Sequence, residues 1–130
     1  MLRTLVGLAA GLAVAIATVM AIETLGNQLY PPPRGFDMTQ ASALALPFET
    51  LVWPVIGWFL GSLAGSGLAA HLTGQSWAGW AIAALVLAAT ILNFAMITHP
   101  VWMMIAGPLA ALLGGWLGQQ AARRIRRPAA

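Results

Sequence analysis

Glu23, Glu49 and His99 are the side chains in this sequence best equipped for chemistry. Two carboxylates beside an imidazole can bind a divalent metal, relay a proton, or hydrogen-bond a polar ligand such as a lipid headgroup or a quinone. Each of the three falls at the end of a long apolar run. Asn27, Tyr30, Arg34, Asp37 and Asn93 fall near the same ends and complete a candidate ligand or ion site. Ionisable groups beside hydrocarbon are costly, so Glu23 and Glu49 are expected to face a protein interior, a partner or water. Two carboxylates sharing such a site would push one pKa up, while His99 or Arg34 nearby would pull it down.

No ligand motif of fixed spacing joins these residues, so the same cluster has a structural reading as well. In that reading Glu23 and Glu49 pair with Arg34 or with backbone amides, and His99 is a turn residue. Glu23, Glu49 and His99 are metal candidates only in the first reading, and no catalytic residue or cofactor follows from the sequence. Met20, Met38, Met96, Met103 and Met104 fall in the same half of the chain's spans, and thioethers with His99 would suit Cu(I). No Met-x-x-Met or His-x-Met repeat supports that, and methionine is a routine apolar filler.

Several chemistries are excluded outright. The chain has no cysteine, hence no disulfide, thiolate metal site or cysteine nucleophile. There is no G-x-S-x-G, H-E-x-x-H or phosphate-binding glycine loop. A bis-histidine haem fails on distance, because His71 and His99 fall at opposite ends of an apolar run of roughly 20 residues, about 30 Å of helix.

The elements that must position the cluster follow from composition. Of 130 residues, 60% are hydrophobic and 7% charged, with a mean hydropathy of +0.83. A soluble domain of this size could not bury so much apolar surface, so the chain is expected in a lipid bilayer. Runs long enough to cross it occur at about 4–26, 48–72, 77–97 and 101–122, with turn-forming breaks between them. Continuous apolar runs without two-residue alternation exclude a β-barrel. The expected fold is therefore an all-α integral membrane bundle of four transmembrane helices in a single domain. It has an outer loop at 27–47 and a basic tail at 123–130.

Orientation follows from arginine. Arg3 precedes the first run and Arg123, Arg124, Arg126 and Arg127 follow the last. The positive-inside rule places both termini in the cytoplasm, with these arginines as topology anchors that also attract anionic lipid. So short a basic patch argues against nucleic acid as a partner. Arginine without lysine, together with abundant Ala and Gly, suggests a GC-rich bacterial genome, so the expected location is a bacterial inner membrane. Residues 19–21 resemble a signal-peptide cleavage site, but the apolar run is longer than a signal's and reads as a retained span.

Small residues recur at helical spacing of three or four residues in Gly7 and Gly11, in Gly57, Gly61 and Gly65, and in Gly107, Ala111, Gly114 and Gly118. Such faces let helices approach closely, within one bundle or against another copy. A constant offset aligns Pro47, Gly61 and Gly65 with Pro100, Gly114 and Gly118, which suggests two hairpins related as a parallel repeat. Pro54 and Pro108 are expected to bend their helices unless neighbours compensate. The tryptophans are expected to form interfacial belts, with Trp77, Trp80 and Trp116 inside and Trp53, Trp58 and Trp102 towards the outside. His71 reads as an interfacial residue near lipid phosphate.

The first connection stiffens at Pro31–Pro33, and Asp37 with Gln40 has capping-box spacing, so a short interfacial helix is expected there. The functional expectation is a small non-enzymatic accessory or scaffold subunit that associates with itself or with another membrane protein. The alternative is a small transporter, or a metal-, lipid- or quinone-binding protein that uses the outer-face cluster.

Overall fold

The computed structural model describes residues 1–36 and 43–127. Four helices account for nearly all of them: α1 (Leu2–Leu29), α2 (Phe48–Thr73), α3 (Ser76–Met96) and α4 (Val101–Arg126). Each is long and apolar enough to cross a membrane. The chain therefore has the architecture of a multi-pass membrane protein. The helices outrun the apolar stretches that predict them, most clearly at Arg126, because helical hydrogen bonding continues beyond the hydrocarbon-compatible residues.

Local chemistry sets the breaks. Pro47 and Pro100 stand just before α2 and α4 with nearly identical extended conformations, φ −61° and ψ 152° or 147°. Proline is tolerated at a helix start because its missing N–H would have had no partner there. Between α2 and α3, Gly74 takes a left-handed conformation at φ 78° and donates its N–H to the Ala70 carbonyl, closing the tightest connection. Pro54 and Pro108 lie inside their helices, and both helices run through without interruption.

α2 is the organising helix and packs most extensively against α1 and α4, while α3 lies across it with lesser contacts to both flanking helices. Backbone proximity explains the choice. A β-carbon added at Gly65 would stand 2.6 Å from the Gly11 carbonyl oxygen and 2.7 Å from the Ala15 β-carbon. One added at Gly61 would stand 2.9 Å from the Ala15 carbonyl, and Gly57 rests on the Val19 backbone at 3.4 Å. On α1, Gly7 meets Thr73 and Gly11 meets Ala69. On α4, Gly114 and Gly118 press on the α2 backbone at Phe59 and Leu63, while Gly107 receives the Trp58 ring. Without a hydrophobic drive between lipid-bathed helices, such close contact supplies the association.

These contacts revise the repeat expected from sequence. Gly61 and Gly65 pack on α1, their own hairpin partner, whereas Gly114 and Gly118 pack on α2 and not on α3. The two hairpins therefore use matched glycines against unmatched partners, and α1 has no extensive contact with α4 to mirror that between α2 and α3.

A polar seam runs through the α2–α3–α4 junction. Ser62 donates a 2.6 Å hydrogen bond to the Ala111 carbonyl, which ties α2 to α4. One turn on, Ser66 and Gln119 are buried, and neither the Ser66 hydroxyl nor Gln119 Oε1 has a hydrogen-bond partner among the described residues.

At the arginine end, Arg3 Nε donates to the Leu72 carbonyl at 2.6 Å and Arg123 donates to Ser76 Oγ at 3.1 Å, tying both termini to the α2–α3 turn. Trp77, Trp80 and Trp116 are exposed at this end, as is His71. Trp58 departs from the expected belt. It is buried at 6% exposure and packs edge-on to Phe94, with ring centroids 5.6 Å apart.

In the first connection, a single 3-10 turn at Ala43–Ala45 stands where an interfacial helix is expected. Asp37 and Gln40 lie outside the described residues, so the capping box that motivates that helix does too.

Candidate functional site

At the end of the bundle opposite the arginines lies a cavity of about 240 Å³. α1 supplies Glu23 and Asn27, one helical turn apart and therefore on one face. Glu23 is half-buried, about 9 Å short of the helix end at 1.5 Å per residue. α3 supplies Asn93 near its own end, and the connection to α4 supplies His99. α2 contributes Thr50, Pro54 and Trp58, which recur every fourth residue along a single stripe.

Two connections close the cavity from above. The Ala43 N–H donates to the Thr98 carbonyl at 2.8 Å, joining the first connection to the third. Thr50 Oγ1 donates to the Tyr30 carbonyl at 3.3 Å, fastening the end of α1 to the start of α2. Pro32 and Phe36 add apolar wall from the proline segment.

His99 is buried and held in one orientation. Its Nδ1 donates to the Ile97 carbonyl at 2.6 Å, and its ring stands edge-on to Phe94. With Nδ1 committed as donor, a neutral ring offers Nε2 as an acceptor. Pro54 removes the N–H that would otherwise bond the Thr50 carbonyl, adding a further acceptor beside the same wall. Among the described residues, Glu23 is the sole carboxylate lining the cavity, and no arginine lines it.

The structure thus gathers four of the sequence candidates, Glu23, Asn27, Asn93 and His99, and leaves Tyr30, Arg34 and Glu49 apart. Glu49 is exposed in the first turn of α2 and does not line the cavity. The reason is rotational: at 100° per residue, the stripe through Thr50 and Pro54 that faces inward turns Glu49 outward. Tyr30 is exposed, and its ring lies 6.4 Å from that of Trp53. Arg34 is exposed and off the cavity wall, and Asp37 lies outside the described residues. Among the described residues no three His, Asp or Glu side chains come together as a metal site, so Glu23, Glu49 and His99 do not assemble into one.

Sequence reasoning misses Trp58 and Thr50, both of which line the cavity, as does Met103, named above only as a thioether beside His99. A signal for the first two was present. Thr50, Pro54, Trp58, Ser62 and Ser66 form an unbroken i, i+4 row that is more polar than a lipid-facing row tolerates. Met103 is fully buried, consistent with an apolar filler beneath the cavity.

No protein-family model, curated protein or solved structure matches this chain. Its site is therefore read from its own geometry.

Proposed function

We propose that this is a small multi-pass protein of a bacterial inner membrane, with both termini cytoplasmic, that binds a polar-headed ligand in the cavity lined by Glu23, Asn27, Asn93 and His99. It acts as a carrier or ligand-binding subunit, and no reaction is assigned to it. The single observation that carries this reading is the convergence of Glu23, Asn27, Asn93 and His99, from α1, α3 and a connection, together with Thr50 of α2, on a mostly apolar cavity. Ligand sites have this character, a mostly apolar concavity with a few convergent polar groups. A membrane helix also has little reason to keep a carboxylate such as Glu23 near the hydrocarbon without a use for it. The orientation is supported by the placement of Arg3, Arg123, Arg124, Arg126 and Arg127 at the opposite end from the cavity.

The accessory-subunit role is the second reading. It is favoured by three tryptophans, Trp77, Trp80 and Trp116, exposed by 51%, 43% and 47% at the arginine end. Aromatic residues of this kind anchor interfaces as well as headgroups. The glycine ladders do not add to it, since their close approaches are made inside the bundle.

Native mass spectrometry of protein extracted from its own membrane in mild detergent tests the ligand reading. The wild type is expected to carry a co-purifying small molecule that Asn93→Trp, which fills the cavity from its wall, has lost. Identical spectra for a wild type and a variant of equal helicity would remove the proposal.

A further inference from the structure

A second cavity adjoins the first. Between α1 and α3, which touch only sparingly, runs a groove of about 400 Å³. Leu12, Ile16 and Met20 form its α1 wall, and Leu85 and Ala89 its α3 wall. Ile16, Met20 and Leu85 are each at least half exposed, so the groove opens sideways from the bundle at the level of the spans. Trp58 and Asn93 line both the groove and the polar cavity, which makes the two spaces neighbours across a shared wall. Among the described residues, Asn93 and the Trp58 indole N–H are the only side-chain polar groups in the groove, and both stand where it meets the cavity.

We propose that the ligand is a membrane-dissolved lipid with an uncharged, hydroxyl-bearing head, which enters between α1 and α3 and leaves its apolar chain in that groove. This rests on the ligand-binding reading above and names the class of ligand. An aqueous solute would have no use for an apolar side opening, whereas a chain already in the bilayer reaches the groove without crossing water.

The polar groups on the wall select the head. Among the described residues no arginine lines the cavity, and the sequence has no lysine, so an anionic phosphodiester finds no counter-charge there. Among the described residues, acceptor lone pairs outnumber donor hydrogens: the Glu23 carboxylate, His99 Nε2 and the amide oxygens of Asn27 and Asn93 face two amide NH₂ groups and the Trp58 indole N–H. A head that donates through hydroxyl groups satisfies them. Buried acceptors left without donors would weigh against a head lacking hydroxyls. Both a hydroquinone ring and a glycerol head have this chemistry, and the Trp58, Phe36 and Met103 side chains supply an apolar floor for either.

The test uses the full-length protein, delipidated in an uncharged detergent and titrated by native mass spectrometry. The probes are dodecylhydroquinone, monolaurin, tail-less hydroquinone and phosphatidylglycerol. The expected result is saturable binding of one dodecylhydroquinone or one monolaurin, at least tenfold tighter than phosphatidylglycerol. Whichever of the two binds more tightly identifies the head. Ala89→Trp, which obstructs the groove without touching the polar wall, should weaken the tailed probe at least tenfold and leave tail-less hydroquinone unchanged. Ile16→Trp obstructs the opposite wall and serves if Ala89→Trp does not fold. Unchanged binding of the tailed probe in both variants, or phosphatidylglycerol binding as tightly as the neutral lipids, overturns the inference. Failure of the cavity itself looks different: no neutral probe binds the wild type, and Asn93→Trp changes nothing.

Discussion

The imidazole of His99 stands edge-on to the ring of Phe94, with centroids 5.1 Å apart and planes inclined at 67°. Phe94 in turn meets Trp58 edge-on, so a histidine from a connection, a phenylalanine from α3 and a tryptophan from α2 form one aromatic chain beside the cavity. Edge-to-face contacts of this kind contribute about 0.5–1.5 kcal/mol each beyond the area they bury. They fix the plane in which His99 presents its second nitrogen.

That arrangement separates the packing role of His99 from its polar one. His99→Phe keeps an aromatic ring against Phe94 but removes both the donor to the Ile97 carbonyl and the acceptor facing the cavity. Stability should fall by about 1 kcal/mol, the net worth of a typical hydrogen bond. Ligand retention should fall much further. Denaturant titration in detergent, run beside the binding assay, checks both, and unchanged ligand retention in His99→Phe would show that the ring alone matters.

On the arginine side of the α1–α2 crossing, Gly65 makes the closest approach to backbone. Since a β-carbon there meets the Gly11 backbone at 2.6 Å, Gly65→Leu must push the helices apart. Overpacking of this kind costs about 1–3 kcal/mol. Leu113→Ala, at a half-exposed position facing away from the bundle, should stay within about 0.5 kcal/mol. Thermal unfolding monitored by circular dichroism compares the two.

The polar seam predicts opposite signs one turn apart. Ser62→Ala removes the bond to the Ala111 carbonyl and should destabilise the fold by about 0.5–1.5 kcal/mol. Gln119→Met removes an amide whose oxygen has no partner among the described residues and whose nitrogen makes only a 3.3 Å bond to the Gly115 carbonyl. Replacing a poorly satisfied buried amide by an apolar group of similar shape should be neutral or stabilising. Loss of stability on the order of 1 kcal/mol in Gln119→Met would show that the amide is satisfied by a bound water.

Because the chain lacks cysteine, single introduced cysteines report topology without background. Arg34→Cys should react with a membrane-impermeant maleimide on intact bacterial cells, and Gln75→Cys only after permeabilisation. The reverse pattern would invert the proposed orientation and place the cavity on the cytoplasmic side.

Much of the architecture is legible without coordinates. Four helices and their breaks at Pro47, Gly74 and Pro100 follow from the bilayer's demand that spanning backbone satisfy its own hydrogen bonds, and five of the six arginines stand at one end of the bundle. Hydropathy places the spans well but not their limits, because it reports the hydrocarbon-compatible core while helices continue past it, as α1 does to Leu29 and α4 to Arg126. The candidate site is legible as a set of polar residues at one end, and Glu23, Asn27, Asn93 and His99 all belong to that set.

Which members of that set meet depends on how each helix is rotated about its axis, and composition does not encode that rotation. Glu49 and Thr50 are neighbours in sequence, yet Thr50 lines the cavity and Glu49 is exposed. The glycine contacts decide the matter: Gly11 against Gly65 sets α1 on α2, and Gly114 with Gly118 sets α4 on the opposite side of α2. Those crossings leave α1 and α3 only loosely in contact, and the polar cavity and its apolar side groove occupy that space. Residues alone determine that this chain spans a membrane and where its polarity lies. Close packing at glycine, possible only between particular faces, decides where a ligand has room to bind.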